Sequence, residues 1–170
     1  ELGDAPGIGR CEWALANVSW GSRDLETARA HALRALDTFE SIDDRFNFGW
    51  ASYTLGLAAL SDLEREVSDE LIADARRRLS DAIRIFDDAQ DGTGYALVVD
   101  AFAVLAMHEG DRSRAARIWG AVATLERTSG TGLNSWNRSV MQFDPGGLRD
   151  DPALAQAWAE GERLSPSEAV

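Results

Sequence analysis

The chain aligns with itself, and that constrains its fold more than any single motif. Setting Asp4-Ala-Pro-Gly-Ile-Gly-Arg-Cys-Glu-Trp-Ala-Leu15 on Asp44-Arg-Phe-Asn-Phe-Gly-Trp-Ala-Ser-Tyr-Thr-Leu55, a shift of 40, superposes Ile8 on Phe48, Gly9 on Gly49, Trp13 on Tyr53 and Leu15 on Leu55. A further shift of 47 carries Phe48 to Tyr95, Leu55 to Phe102, Ala59 to Ala106 and Leu60 to Met107. The seven extra residues fall in the acidic stretch Glu64 to Glu70. Downstream segments follow the same shifts: Ala28 with Ala75 and Ala115, Ala32 with Leu79 and Trp119, Ala35 with Ala82 and Val122. Apolar residues recur at helical spacing almost throughout, with no alternating strand pattern. Each copy therefore reads as helix, turn, helix, with turns at Gly21-Ser-Arg-Asp24 and Glu109-Gly-Asp111. Such a unit cannot bury its apolar face alone, so the copies are expected to stack.

This predicts an all-α fold in one domain spanning 1–170, with units at about 4–41, 44–90 and 91–129 and a C-terminal extension over 130–170. A chain of this length builds a full core without staples. The single Cys11 excludes an internal disulfide and fits a reducing, cytoplasmic setting. A net charge of -12 repels phosphate backbones and anionic lipid, so direct nucleic-acid and membrane partners are not expected. All basic residues are arginine, which removes a Walker lysine, a Schiff base and a lysine general base. The start at Glu1, without methionine, reads as a piece of a larger protein.

The pattern resembles tetratricopeptide repeats, which ask for a leucine and a small residue in the first helix, here Leu15-Ala16, Leu55-Gly56 and Phe102-Ala103. The small residues expected in the second helix are Ala28 and Ala35, Ala75 and Ala82, Ala115 and Val122. These units are longer than the roughly 34 residues of that repeat. Gly110-Asp111, Arg114-Ala-Ala-Arg-Ile-Trp-Gly-Ala121 and the tail from Ala155 to Val170 carry a second resemblance. They are similar to the tetratricopeptide-like C-terminal region of bacterial, often actinobacterial, signalling proteins, in which an NTPase domain is joined to a LuxR-type helix-turn-helix or an adenylate cyclase domain.

The resemblance implies a right-handed α-solenoid of three hairpins plus C-terminal helices, whose first helices line a concave groove. With Leu15, Leu55 and Phe102 as the seventh repeat position, the groove candidates are Arg10, Trp13, Asn17, Trp50, Tyr53, Leu57, Leu97, Asp100, Val104 and His108. Trp13 and Tyr53 read equally well as core. Asp100 lies among Val98, Val99, Ala101 and Phe102, where an ionised carboxylate needs a partner or an open groove. The implied function is a non-catalytic interaction or sensor module that binds a peptide, a neighbouring domain of the same polypeptide or a small-molecule effector. The rivals are a structural spacer or homodimerisation unit, with Trp136 or Trp158 exposed, and a small enzyme with a pocket near Asp100, His108 and Trp50.

Other chemistry-bearing residues read as structure. Gly7-Ile-Gly9 and Gly92-Thr-Gly94 lack the strand and third glycine of a dinucleotide site and are taken as turns. His108-Glu109 lacks the second histidine of a zinc motif, so neither metal nor cofactor is expected. Cys11 is expected buried and His31 at the surface or its boundary. Asp43-Asp44 and Asp150-Asp151 read as helix-end residues, Asp87-Asp88 as solvated surface and Arg76-Arg-Arg78 as an ion-paired face. A helix break is predicted near Pro145, a helix from Asp151-Pro152 to about Glu160, and a capping box at Ser165-Pro-Ser-Glu168. Trp119 is predicted core, with Gly120 admitting the helix that carries Trp158.

Overall fold

The computed structural model describes residues 3–129 and 134–170. Every regular element among them is a helix, packed in adjacent pairs. The first six are α1 (Ala5–Gly21), α2 (Leu25–Ser41), α3 (Arg45–Leu63), α4 (Asp69–Asp88), α5 (Gly92–His108) and α6 (Arg112–Ser129). Four short helices follow: α7 (Asn134–Val140), α8 (Gly146–Arg149), α9 (Ala155–Gly161) and α10 (Pro166–Ala169).

One local device ends a helix and starts the next at four places. Arg23, Asp43, Gln90 and Gly110 take left-handed φ values of 67, 56, 54 and 79°. An aspartate follows each, and its N–H reaches back 2.9 Å to the carbonyl of Ser19, Phe39, Phe86 or Ala106. The same aspartate's side chain then accepts an amide of the new helix: Thr27 onto Asp24, Asn47 onto Asp44, Thr93 onto Asp91 and Arg114 onto Asp111, at 2.9–3.1 Å. Leftover carbonyls and leftover amides are satisfied in one turn. After the lengthened loop, Ser68 caps α4 instead, accepting from Leu71 N–H at 3.2 Å.

The described chain divides into two compact units, Glu1–Gly94 and Tyr95–Val170. In the first, glycines let helices approach closely. A Cβ at Gly9 would lie 2.6 Å from the Phe39 ring, one at Gly49 2.8 Å from Ile85, and one at Gly94 2.7 Å from Phe86. The two glycine pairs are thus not turns: Gly7 and Gly9 lie in α1, Gly92 and Gly94 in α5. Close packing against Phe39 and Phe86 offsets the roughly 1 kcal/mol that a helical glycine costs.

Across α1 and α3 runs a ladder whose rungs join residues 41 apart. Trp13 Nε1 donates to Thr54 Oγ1 at 3.1 Å, and Trp20 Nε1 to Ser61 Oγ at 3.0 Å. Arg23 pairs with Glu64 at 2.5 Å. Trp20 and Ser61 are fully buried, so that rung satisfies two polar atoms out of reach of water.

In the second unit α9 lies on α6. A Cβ on Gly120 would strike the Trp158 carbonyl oxygen, and one on Gly161 the Arg117 carbonyl. Residues equivalent to Gly120 in the earlier hairpins, Leu33 and Ser80, are not buried. Only where α9 docks is a glycine required. Trp119 is core, as its alignment with buried Ala32 and Leu79 predicts. The helix breaks over Met141 to Pro145 as expected. Trp158 is only 8% exposed, correcting its reading as a surface aromatic, whereas Trp136 is 53% exposed. The helix expected from Pro152 begins at Ala155, because Asp151 Oδ1 accepts Ala153 N–H at 2.9 Å and holds a turn there. Glu168 closes α10 by accepting both N–H and Oγ of Ser165, at 2.8 and 2.7 Å.

Candidate functional site

The groove candidates have different surroundings. Arg10 is exposed, while Asn17 and His108 are half-buried. Tyr53, Leu57, Leu97, Asp100 and Val104 are buried. Trp13 and Trp50 are half-buried and meet, with ring centroids 5.7 Å apart.

Those two tryptophans belong to an aromatic cluster in the first unit. Trp50 is 4.7 Å from Phe86 and 6.1 Å from Tyr53, centroid to centroid, and Phe46 stands edge-on to Trp50 at 6.5 Å. Register explains the convergence: Phe46, Trp50 and Tyr53 follow one another at intervals of four and three along α3. Phe46 remains 42% exposed, so the cluster reaches the surface. Asn17 Nδ2 donates to the Trp13 carbonyl at 2.8 Å, flanking it with a polar group. A separate cleft of about 440 Å³ in this unit is lined by Phe39, Phe48 and Ile85 and by acidic and arginine side chains, with none of the groove candidates among its lining.

The second unit holds the strongest electrostatic feature. Asp100 on α5 is 2% exposed, and its Oδ1 accepts from Trp119 Nε1 of α6 at 2.9 Å. The same oxygen accepts from Nε and Nη2 of Arg138 on α7, at 2.9 and 2.5 Å. Arg138 Nη1 also meets Glu126 at 3.3 Å. Burial pushes the Asp100 carboxyl up from its ordinary range, while Arg138 and Trp119 pull it back. Burial alone would lower the Arg138 guanidinium, but Asp100 and Glu126 outweigh it and raise it. The aspartate's need for a partner is met from within the chain. Phe143 packs on Trp119 at 5.0 Å, so α7 and the segment after it are fastened to α5 and α6 by the ion pairs of Arg138 with Asp100 and Glu126 and by this ring contact.

Sequence reasoning placed Asp100 but missed Arg138. An arginine in a short helix far downstream carries no periodic signal, and an unmatched buried aspartate was the one clue to it. His31 is a boundary residue as expected, its Nδ1 2.6 Å from Glu12. That contact, helped by Arg34, holds Glu12 below the usual carboxylate range. Arg77 is exposed and pairs with Asp74, and Asp87 and Asp88 are exposed, matching the solvated readings. Arg78 also reaches Asp74 but is half-buried, and burial lowers its guanidinium, which corrects the reading there. Cys11 is exposed, which corrects its reading as a buried thiol: it lies on the side of α1 away from α2. Among the described residues no group of three His, Cys, Asp or Glu is placed to hold a metal ion, and no helix is long and apolar enough to cross a membrane. Comparison with protein families, curated proteins and solved structures finds no match to this chain.

Proposed function

We propose that this segment is a non-catalytic interaction or sensor module of a cytoplasmic, bacterial-type regulator. Its three hairpins form a right-handed, tetratricopeptide-like solenoid, and it binds a peptide or a neighbouring domain of the same polypeptide. The observation that carries this reading is the aromatic cluster on first helices in which exposed Phe46 and half-buried Trp13 and Trp50 stand over buried Tyr53. Such rings offer large contact area at little cost in side-chain entropy and are enriched where proteins meet. The buried Asp100, by contrast, is engaged by Arg138 and Trp119 and serves packing. Binding at the aromatics would bias whatever output domain is attached.

The test is the output of the regulator that carries this segment, measured with Phe46→Ser and with the segment deleted, helix content being checked by circular dichroism. A changed response to inducer is expected from both. Equal output under all inducers would sink the reading. A second reading, dimerisation, is favoured by Trp136 at 53% exposure. A sedimenting dimer abolished by Trp136→Ser would support it.

A further inference from the structure

On its outer side α1 presents Ile8, Leu15 and Val18, exposed by 56, 48 and 70%, with the exposed Cys11 between them. Intervals of three, four and three put the four side chains on one helix face. Forty residues on, α3 carries Phe48, Ala51, Leu55 and Ala58 at the same positions, and there the face is covered: Ala51, Leu55 and Ala58 are at most 3% exposed.

What covers it is visible. Ala51 and Leu55, with Phe48 beside them, share a cluster with Ala32, Ala35, Leu36 and Phe39 of α2, and Arg29 of α2 reaches the Ala58 carbonyl at 3.4 Å. The opposite faces of α1 and α3 do the same work as each other. Gly9 lies on Phe39 of α2, and Gly49 lies on Ile85 and Phe86 of α4. The two helices are therefore built in one register with two packing faces, and α1 uses only one of them.

We infer that Ile8, Cys11, Leu15 and Val18 seat the second helix of a further hairpin that precedes Asp4 in the same polypeptide. This rests on the reading of the segment as part of a hairpin array in a larger protein. The arriving helix presents small, small, leucine and phenylalanine side chains at i, i+3, i+4 and i+7, as α2 does with Ala32, Ala35, Leu36 and Phe39. Leu15 repeats Leu55, and Cys11 is close in size to Ala51. No charged side chain falls within the four, and neighbouring Glu12 is held by His31 and Arg34 of α2. A second copy of this chain cannot supply such a helix from α2, because Ala32, Ala35, Leu36 and Phe39 are already buried, at most 8% exposed.

The test duplicates residues 4–43 directly ahead of Asp4, so that the copied Asp43 runs into Asp4 as Asp43 runs into Asp44, with the copied cysteine changed to alanine. Docking should slow maleimide labelling of Cys11 by roughly tenfold or more relative to the unextended chain, as burial under a helix does. Val18→Asp should restore the rate in the extended chain while leaving the melting temperature of the unextended chain unchanged. Labelling at the unextended rate would overturn the proposal. So would an unextended chain that sediments as a dimer with Cys11 protected in proportion to concentration, since the occupant would then be a second copy. A protected Cys11 beside a regulator indifferent to Phe46→Ser removes the functional reading and leaves this one standing. The reverse result removes this one alone.

Discussion

Arg138 lays two of its nitrogens on a single oxygen of Asp100, at 2.9 and 2.5 Å, in a site where the aspartate is 2% exposed. Removing one member of such a pair leaves a buried charge uncompensated, which typically costs about 3–5 kcal/mol. Arg138→Met should therefore destabilise the chain by that order in urea unfolding. The double variant Asp100→Leu with Arg138→Met should lose less than the single one, because neither charge is then stranded. A double variant as unstable as Arg138→Met alone would show that the pair matters only through its packing.

Asp100 and Glu12 respond to acid with opposite signs. Burial raises the Asp100 carboxyl above its unfolded value, so the folded state holds that proton more tightly, and this contribution grows as pH falls towards about 3.9 and fades as pH rises. Glu12 is lowered by His31 and Arg34, so its contribution is present above the unfolded value and disappears as pH falls through the folded one. Asp100→Asn removes only the first effect. Its stability should fall more steeply than the parent's on acidification from neutral pH, read as urea midpoints at a series of pH values. Parallel slopes would show that Arg138 cancels the effect of burial.

Much of the helical order was legible because it is periodic. The shifts of 40 and 47 place α1 to α6, and the alignment of Trp119 with Ala32 and Leu79 places that ring in the core. Gly120 was legible for the same reason: its aligned residues, Leu33 and Ser80, show that the hairpin itself needs no glycine there. What escaped is set by contacts between residues far apart in sequence. Gly9 and Gly94 look like turn residues until Phe39 and Phe86 are seen against them. Cys11 looks like a core residue until its face of α1 is found bare. The first-helix positions Trp13, Trp50 and Tyr53 were readable, but not that their rings meet.

At the α6–α9 contact the close approach is backbone on backbone. Gly120→Ala would press a methyl group into the Trp158 carbonyl oxygen, and Gly161→Ala one into that of Arg117. Neither backbone can yield without moving α9, so each should cost about 1–3 kcal/mol, in the range of overpacked cores. Trp158, 8% exposed in the parent, should gain solvent exposure, shifting tryptophan emission to the red and quickening acrylamide quenching. A variant with unchanged quenching and stability would mean that α9 slides freely.

Ser61 accepts the indole N–H of Trp20 at 3.0 Å where both are fully buried. Ser61→Ala strands that N–H and should cost about 1–3 kcal/mol. Thr54→Val, on the part-buried rung to Trp13, should cost less, since water can replace the lost partner there. Equal losses in urea unfolding would refute the ordering by burial.

The left-handed turn residues give a prediction in which the sign changes from site to site. Gly110 has φ 79° and nothing within 4 Å of where a Cβ would sit, so Gly110→Ala meets only backbone strain. That strain is roughly 1–2 kcal/mol for an L-residue. Gln90 bears the same strain already at φ 54°, and its side chain returns one bond, Nε2 to the Asp87 carbonyl at 2.8 Å. Gln90→Gly should therefore stabilise, by less than about 1 kcal/mol once the lost bond and glycine's greater unfolded freedom are counted. Paired thermal melts should show Gly110→Ala falling and Gln90→Gly holding or rising. If both fall by the same amount, the turn is governed by the aspartates that follow these positions, Asp111 and Asp91, rather than by φ.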